Sequence, residues 1–554
     1  MSDLSEKSLD ALQAGVKKLH RTAEGATSST RSRKCHSKAL KTSADVLSLL
    51  GDPGRFHYMQ FFALCLQFTS LAMSDLIPIF YNLSPQSVVC RDDDPDNDHS
   101  TWPEHDAGMG SNASQLIMEK FVFRNDTSLP NYCRCREGAL TYIYRDNRTT
   151  SLISEMNLVC EKAPLASLAT TLYYVGSALA GPFMGLLSDR HGRRPVLLLC
   201  CLALSIVNIA TIFVTNYILY VLLQCLSGIT RVGIYSTTFI LLMEWTPTLR
   251  RTVVAAASEF FFPAGVMALA VCAYYLHQWR HIQIALAASN SVFILNIWFA
   301  QESVVWLLAN GKTCAANETI HKIAKFNGKP LNSEDLESVD SFAVAEAEAL
   351  TESQSGIFDC LRDPEIRRIT LLISVVWFAA KFGYSGLSYL IDTLSSNVAV
   401  DLLIGGSLEL IPWAITFAIS ANLSSSDKKY PISGFFAMAA VLAIAAGAIP
   451  SWSRLLALSS RMTIVGCLSL MFMHAAELLP TAVRSSGFGV AMFFFMVGGM
   501  VSPQLVLLAS FVAIPGIPVF IVGGVSLLGA LAVLALPLGP VETTKTTTLY
   551  RRLE

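Results

Sequence analysis

The chain has 554 residues, of which 52% are hydrophobic and only 15% charged, against roughly 25% charged residues in ordinary soluble domains. Together with a mean hydropathy of +0.46, that balance excludes a soluble globular protein and points to a chain that lives in a bilayer. The formal net charge of −1 provides no global field for nucleic acid or an acidic partner, so function has to come from individually placed charges.

Residues 1–56 are polar, and Lys17, Lys18, Arg21, Arg31, Arg33, Lys34, Lys38 and Lys41 dominate their charge. They carry no cleavable signal-peptide pattern. A basic leader ahead of the first apolar segment is expected to stay in the cytosol. A membrane helix needs about 20 mainly apolar residues, and twelve stretches are read as spans: 57–80, 165–187, 195–214, 217–243, 253–275, 282–300, 369–390, 401–422, 432–449, 453–475, 485–509 and 517–537. The expected fold is an all-α polytopic membrane protein with both termini cytosolic.

Spans one and two are joined by a long loop, 81–164, on the side opposite the leader. It holds Cys90, Cys133, Cys135 and Cys160 and the sequons at Asn82, Asn112, Asn125 and Asn147. That clustering fits an oxidised, glycosylated extracellular loop. Four cysteines allow three pairings, among which the sequence does not choose, although Cys133 and Cys135 are too close to bond each other. Sequons at Asn317 and Asn422 fall on the cytosolic side and are expected to stay unmodified.

Between spans two and three runs Gly185-Leu-Leu-Ser-Asp189-Arg190-His-Gly192-Arg193-Arg194. A hairpin tip with this charge needs water, since exposed backbone and charge are not tolerated in hydrocarbon, and its arginines place it in the cytosol. After span six, residues 301–368 form a cytosolic linker whose stretch 334–352, rich in Glu, Ala and Ser, reads as a surface helix. The linker divides the chain into bundles at 57–300 and 369–537, followed by a cytosolic tail, 538–554. The bundles carry a trace of duplication. Glu244, Pro247, Thr248 and Arg251 after span four and Glu477, Pro480, Thr481 and Arg484 after span ten both read Glu-x-x-Pro-Thr-x-x-Arg. Two parallel six-helix repeats follow, with substrate expected between them.

Charges inside spans are costly and each needs a reason. Asp75, Arg231, Glu259, Lys381, Glu409 and Arg461 are the candidates, either as ion pairs between helices or as substrate contacts. Asp75 is placed to attract a cation. Lys381 and Tyr384, three apart on a helix, share a face and are expected to form a cation–aromatic wall. No Gly-rich phosphate loop, metal-ligand spacing or nucleophile elbow is present, so neither enzyme chemistry nor a cofactor or metal is expected.

These motifs resemble a known family. The decapeptide at 185–194 is similar to the loop signature of the major facilitator superfamily. Further stretches resemble its organic cation, anion and zwitterion branch, the solute carrier 22 family: Asp45 to Phe56, Ser154-Glu155 to Cys160, Trp279-Arg280 to Gln283, Glu302-Ser303 with Trp306-Leu307, Tyr384 with Gly386 and Leu387, and Glu409 with Pro412. The resemblance, from about Asp45 to Glu542, implies an alternating-access plasma-membrane carrier of small organic ions. Residues Gly185, Asp189, Arg190, Gly192, Arg193, Arg194, Glu244, Arg251, Glu477 and Arg484 would form its gate. Asp189 would sit at the amino end of a neighbouring helix, with Arg193 and Arg194 reaching Glu244. Asp75, Lys381, Tyr384, Arg461 and Met496 would line the cavity, with Arg461 the candidate anion contact.

Departures are informative too. Gln224 stands where an arginine is usual, and the second-half counterpart of the decapeptide is reduced to Ser426-Asp427-Lys428-Lys429. In register with Arg484, Gly487, Gly489, Gly498, Ser502 and Pro503, Met496 occupies a position where the resemblance implies Arg in anion and carnitine carriers and Asp in cation carriers. These losses motivate an alternative, a transporter-like receptor or scaffold with impaired transport that binds a ligand through its ectodomain.

Overall fold

The computed structural model describes residues 54–83, 85, 87–90, 140–144, 150–247, 250–291, 293–329, 363–394, 397–423, 427–479, 484–511 and 516–537. The leader before residue 54, the sequons at Asn112, Asn125 and Asn147, Cys133 and Cys135, the segment 334–352 and the tail 538–554 lie outside the described residues.

The first half comprises α1 (Arg55–Leu76), α2 (Pro78–Tyr81), β1 (Ser87–Cys90), β2 (Leu140–Ile143), α3 (Leu152–Glu155), α4 (Ala163–His191), α5 (Arg193–Ile212), α6 (Tyr217–Glu244), α7 (Arg251–Glu259), α8 (Phe261–Tyr275), α9 (Trp279–Asn290) and α10 (Phe293–Phe299). After it come α11 (Val304–Ala309) and α12 (Thr313–Phe326). The second half is α13 (Pro364–Leu394), α14 (Val398–Asn422), α15 (Lys429–Ala448), α16 (Ser453–Leu478), α17 (Arg484–Val501), α18 (Gln504–Phe511) and α19 (Ile517–Leu534). Among the described residues, ten helices are long and apolar enough to cross a membrane. Span two (α4) and span six (α9 with α10) complete the set of twelve through their packing.

Local chemistry sets the breaks and ends. Pro78 lacks an N–H and opens a new turn, which separates α1 from α2. Span five, expected as one helix, is interrupted between Glu259 and Phe261, because the ring of Pro263 competes with the carbonyl four residues earlier. Asn216 and Asn397 cap α6 and α14 by accepting from Ile218 N (2.8 Å) and Val400 N (3.1 Å).

An exception to the all-helical expectation is an antiparallel ribbon in the long loop, where Ser87 pairs with Ile143 and Cys90 with Leu140. Its valines, threonine, tyrosine and isoleucine favour extended backbone. The linker also carries more order than a spacer needs. Helix α12 buries Ile320 and Ile323, and Asn327 just beyond it accepts from Phe56 N at 3.0 Å, tying the linker to the start of α1.

Packing repeats with a shift of six spans. Helix α4 packs on α6, α5 on α6, α1 on α8 and α5 on α9, and the same relations recur as α14 on α16, α15 on α16, α13 on α17 and α15 on α19. The halves meet along α4 against α17 and α8 against α14, a pair related by the same shift. This is the geometry of two parallel repeats.

The contact between the halves is uneven. One buried core runs through both, joining Tyr173, Val266 and Trp279 to Trp377, Leu402 and Leu505. A second, on the decapeptide face, contains only first-half and linker residues such as Phe68, Leu197, Leu241 and Trp306. Hydrogen bonds between the halves follow the first core: Thr171 Oγ1 donates to Met500 O (3.1 Å) and Gln504 Nε2 to Thr171 Oγ1 (2.9 Å). Near the decapeptide, a Cβ on Gly185 would meet nothing within 4 Å. The halves are therefore sealed towards the ribbon face and parted towards the decapeptide face.

Candidate functional site

Where the halves touch at mid-depth, α1, α6 and α13 bring Asp75, Arg231 and Lys381 together, at 1%, 5% and 4% exposure. Arg231 pairs with Asp75 Oδ2 within the first half. Lys381 crosses from the second half to the same oxygen at 3.2 Å. Tyr173 OH donates to Asp75 Oδ1 (3.1 Å) and Tyr389 OH to the Asp75 carbonyl (3.4 Å). Tyr174 and Tyr389 share a hydrogen bond of 3.1 Å. Two cations thus surround one carboxylate, and the cluster carries one excess positive charge.

A second network lies within the second half. Arg461 pairs with Glu409, donates to Tyr384 OH at 3.1 Å and lies 4.9 Å over the Tyr384 ring, while Tyr384 OH donates to Glu409 at 3.2 Å. Buried charges persist only when paired in this way. Towards the ribbon face, Asp401 pairs with Arg454 beside a small pocket that Arg461 also lines.

The five residues expected in the cavity thus fall into separate groups. Asp75 and Lys381 are joined, Tyr384 and Arg461 are joined, and Met496 is buried among apolar side chains. The wall expected from Lys381 and Tyr384 takes a different form. The Lys381 ammonium lies 5.2 Å from the Tyr174 ring and 5.3 Å from Phe495, because Asp75 draws it towards the other half, and Tyr384 faces Arg461 instead. Beside Met496, Trp377 packs on Phe472, Phe488 and Phe495 with centroids 4.5, 5.5 and 6.0 Å away. The tyrosines Tyr173, Tyr174 and Tyr389 were not singled out in the sequence; only their position in spans beside a charged helix could have suggested them.

The decapeptide builds a second centre. Gly192 takes φ +106°, and a Cβ there would run into Glu302 Oε2, so the turn needs glycine. Arg193 then reaches Asp189 (2.7 Å) and Glu244 (3.0 Å) and also donates to Ser188 O (3.0 Å). Two expectations need correction. Arg194 does not reach Glu244; its guanidinium donates to Ile297 O at 2.8 Å. Asp189 reaches the amino end of α5 only through the Arg193 side chain, not through the backbone N–H groups there. The carboxylate at the amino end of α5 is Glu302, which accepts from Arg193 N (3.0 Å) and Arg194 N (3.2 Å), where helix N–H groups lack partners. Burial pushes the Glu302 carboxyl above its ordinary value, against those N–H groups and Arg193. Trp306 Nε1 donates to Asp189 O at 2.8 Å. Arg190 is exposed, Arg251 Nε donates to Thr246 O (3.1 Å), and the side chains of Glu477 and Arg484 lie outside the described residues. All these contacts stay within the first half and its linker.

On the ribbon face, Glu155 accepts from Trp279 Nε1 (2.6 Å) and Arg280 Nε (3.2 Å), and Arg280 donates to Val214 O (2.7 Å). Two motifs far apart in sequence thereby clamp the loop to spans three and six. Cys160 is disulfide-bonded. The Asn82 amide donates to Thr170 Oγ1 at 3.1 Å, which places that sequon nitrogen in a helix contact rather than at the loop surface.

The sequence model of the Major Facilitator Superfamily matches residues 159–503. Organic anion transporter 3 from Homo sapiens is 31% identical over 508 residues, covering 90% of this chain and 91% of the relative. Solute carrier family 22 member 6-A from Xenopus laevis is 31% identical over 401 residues, covering 71% and 70%. Among solved structures, the inward open conformation of the xylose transporter XylE from E. coli aligns with a TM-score of 0.56 at 12% identity, over 90% of this chain and 99% of that one. Its partially occluded inward open conformation aligns with a TM-score of 0.54 at 13% identity, over 87% and 100%. At that identity the likeness is one of fold.

Proposed function

Because the chain belongs to the major facilitator superfamily and, within it, to the solute carrier 22 family, we propose that it carries small organic ions across the plasma membrane by alternating access. It is a membrane transporter, not an enzyme. The observation that carries the mechanism is the Lys381–Asp75 bond at 3.2 Å, a charged contact between two halves that are sealed on one face and parted on the other. The positive-inside bias assigns the decapeptide face, with both termini, to the cytosol, so this conformer opens inwards. Rocking the halves would break the contacts of α4 with α17 and of α8 with α14 on the outer side and form their counterparts inside.

In this reading the solute enters between the halves and competes for the paired charges around Asp75 and Lys381, while the decapeptide keeps the inner ends of spans two, three and four together as one rigid piece. The relatives reported above are named as transporters, which does not favour a receptor with impaired cycling. The test is flux. The purified full-length chain in liposomes should take up a labelled organic ion saturably and exchange it against the same unlabelled ion inside. Uptake that rises linearly with concentration and equals that of empty liposomes would sink the reading.

A further inference from the structure

Asp401 and Glu409 stand on α14, and Arg454 and Arg461 on α16, which packs against it. The acids are eight residues apart and the arginines seven, so each set shares one helix face. Two ion pairs therefore stack along the contact: Asp401 with Arg454 near the helix starts, and Glu409 with Arg461 deeper. Gly405 lies between the two acids, four residues from each, and a Cβ there would come within 2.8 Å of Arg461 Nη1. The guanidinium thus lies across the stripe of α14 that carries Asp401, Gly405 and Glu409.

These pairs leave hydrogen-bonding capacity unused. Arg461 Nη2 serves Glu409 and Tyr384, whereas its Nε and Nη1 meet no acceptor among the described residues, although Arg461 is 1% exposed. Asp401 gives Oδ1 to Arg454, and its Oδ2, equally buried, meets no donor. Asp401, Arg454 and Arg461 line one cavity of about 10 Å³ whose other walls are apolar, Leu387, Ile391 and Leu458 among them. That volume admits one water and little more. Buried polar groups are costly when unpaired, and here they need opposite partners: Arg461 needs an acceptor and Asp401 a donor. Water is both. An ion is not, because Arg454 and Arg461 already balance Asp401 and Glu409. A further anion would meet the Asp401 carboxylate, and a cation would meet two guanidiniums.

We propose that this cavity binds one water, which donates to Asp401 Oδ2 and accepts from Arg461, and that Asp401 is a tethered anion, standing where a free carboxylate would otherwise bind. Asp401 is then a positioning residue for Arg461. It links an ion pair whose Arg454 side chain is 41% exposed to the deeper network, and Tyr384 of that network meets Phe262 of the first half at 6.3 Å. One water thereby connects a charge at the ribbon face to the seam between the halves.

The test is chemical rescue. Thermal unfolding midpoints of the detergent-solubilised full-length chain are measured in sodium formate and in sodium gluconate at equal concentration, gluconate being too large for the cavity. The wild type should unfold at the same temperature in both. Asp401→Ala should unfold several degrees lower in gluconate, and formate should recover at least half of that loss along a saturating curve. Arg454→Gln, which keeps the carboxylate, should gain nothing from formate. A wild type stabilised by formate as strongly as Asp401→Ala would make the cavity an anion site and overturn the proposal. So would an Asp401→Ala that formate leaves unchanged, or an Arg454→Gln that it restores equally. Where Asp401→Ala does not fold, cryo-electron density of the wild type at a resolution that shows waters decides. A peak within hydrogen-bond distance of both Asp401 Oδ2 and Arg461 supports the site; an empty cavity, or a direct Asp401–Arg461 bond, overturns it. None of these readouts requires flux, so the site and the carrier reading stand or fall separately.

Discussion

Asp75 is the residue on which most of the buried charge depends. Its carboxylate is shared by Arg231 and Lys381, which both lie deep in the bundle. Removing one member of a buried ion cluster leaves the others without compensation and costs about 3–5 kcal/mol. Asp75→Asn is therefore expected to lower the thermal unfolding midpoint of the detergent-solubilised protein strongly. Lys381→Met leaves the Arg231–Asp75 pair intact and should cost much less. It should instead weaken the outer seal, seen as a longer distance between spin labels on the outer ends of spans two and eleven. Equal loss of stability in both variants would contradict this division of roles. The sequence marked these charges as costly but did not pair them, because Arg231 and Lys381 lie 156 and 306 residues from Asp75. Helical periodicity reports which residues share a face, not which distant helix faces them. That is also why Lys381 and Tyr384 were read as one wall, when each answers to an opposite charge elsewhere.

At the scale of elements, the decapeptide was legible as a charged turn between two spans, with Gly192 named among its gate residues through the family resemblance. Its support was not: Glu302 lies 109 residues from Arg193 and was visible only as part of a family-like run. Gly192→Ala would force a side chain into a left-handed φ and against Glu302, a strain of about 1–3 kcal/mol. The expected outcome is a lower unfolding midpoint and reduced expression. Asp189→Asn differs, because its partner Arg193 keeps Glu244 and Ser188. It should change the transport rate per molecule more than the amount at the surface, measured as initial uptake normalised to surface-labelled protein. The pH effect at this element follows from Glu302. Its carboxyl titrates above the ordinary glutamate value in the folded protein, so folding binds a proton more readily than the unfolded chain does. Stability contributed here then falls as pH rises from the ordinary glutamate range through the raised folded value. Glu302→Gln should flatten that part of the profile of unfolding midpoint against pH. An unchanged profile would show that another group sets it.

The whole molecule carries an asymmetry that no single helix reveals. Six-span repetition was legible from the two Glu-x-x-Pro-Thr-x-x-Arg runs, since they mark equivalent ends of equivalent helices. Which face is open was not legible, because both conformations of such a carrier use the same sequence. The packing nevertheless fixes what the other conformation has to do. Antiparallel helices α4 and α17 touch near Thr171, Met500 and Gln504 and at Tyr174 against Gly499. Continuing the register of that contact from Tyr174 towards the decapeptide brings Gly185 level with Gly489, about 16 Å further along each helix. Both glycines have open space where a Cβ would stand. If the halves rock about the paired charges, these two positions close on each other when the outer contacts open. Cysteines placed together at Gly185 and Gly489 should then cross-link only while the protein visits the inward-closed state. The cross-link should stop uptake, reductant should restore it, and saturating substrate should change the rate at which the bond forms. Each single cysteine should leave uptake reversible and uncross-linked. A bond that forms at the same rate with and without substrate and does not affect flux would mean that α4 and α17 do not exchange one end contact for the other, and rocking about this seam would have to be abandoned.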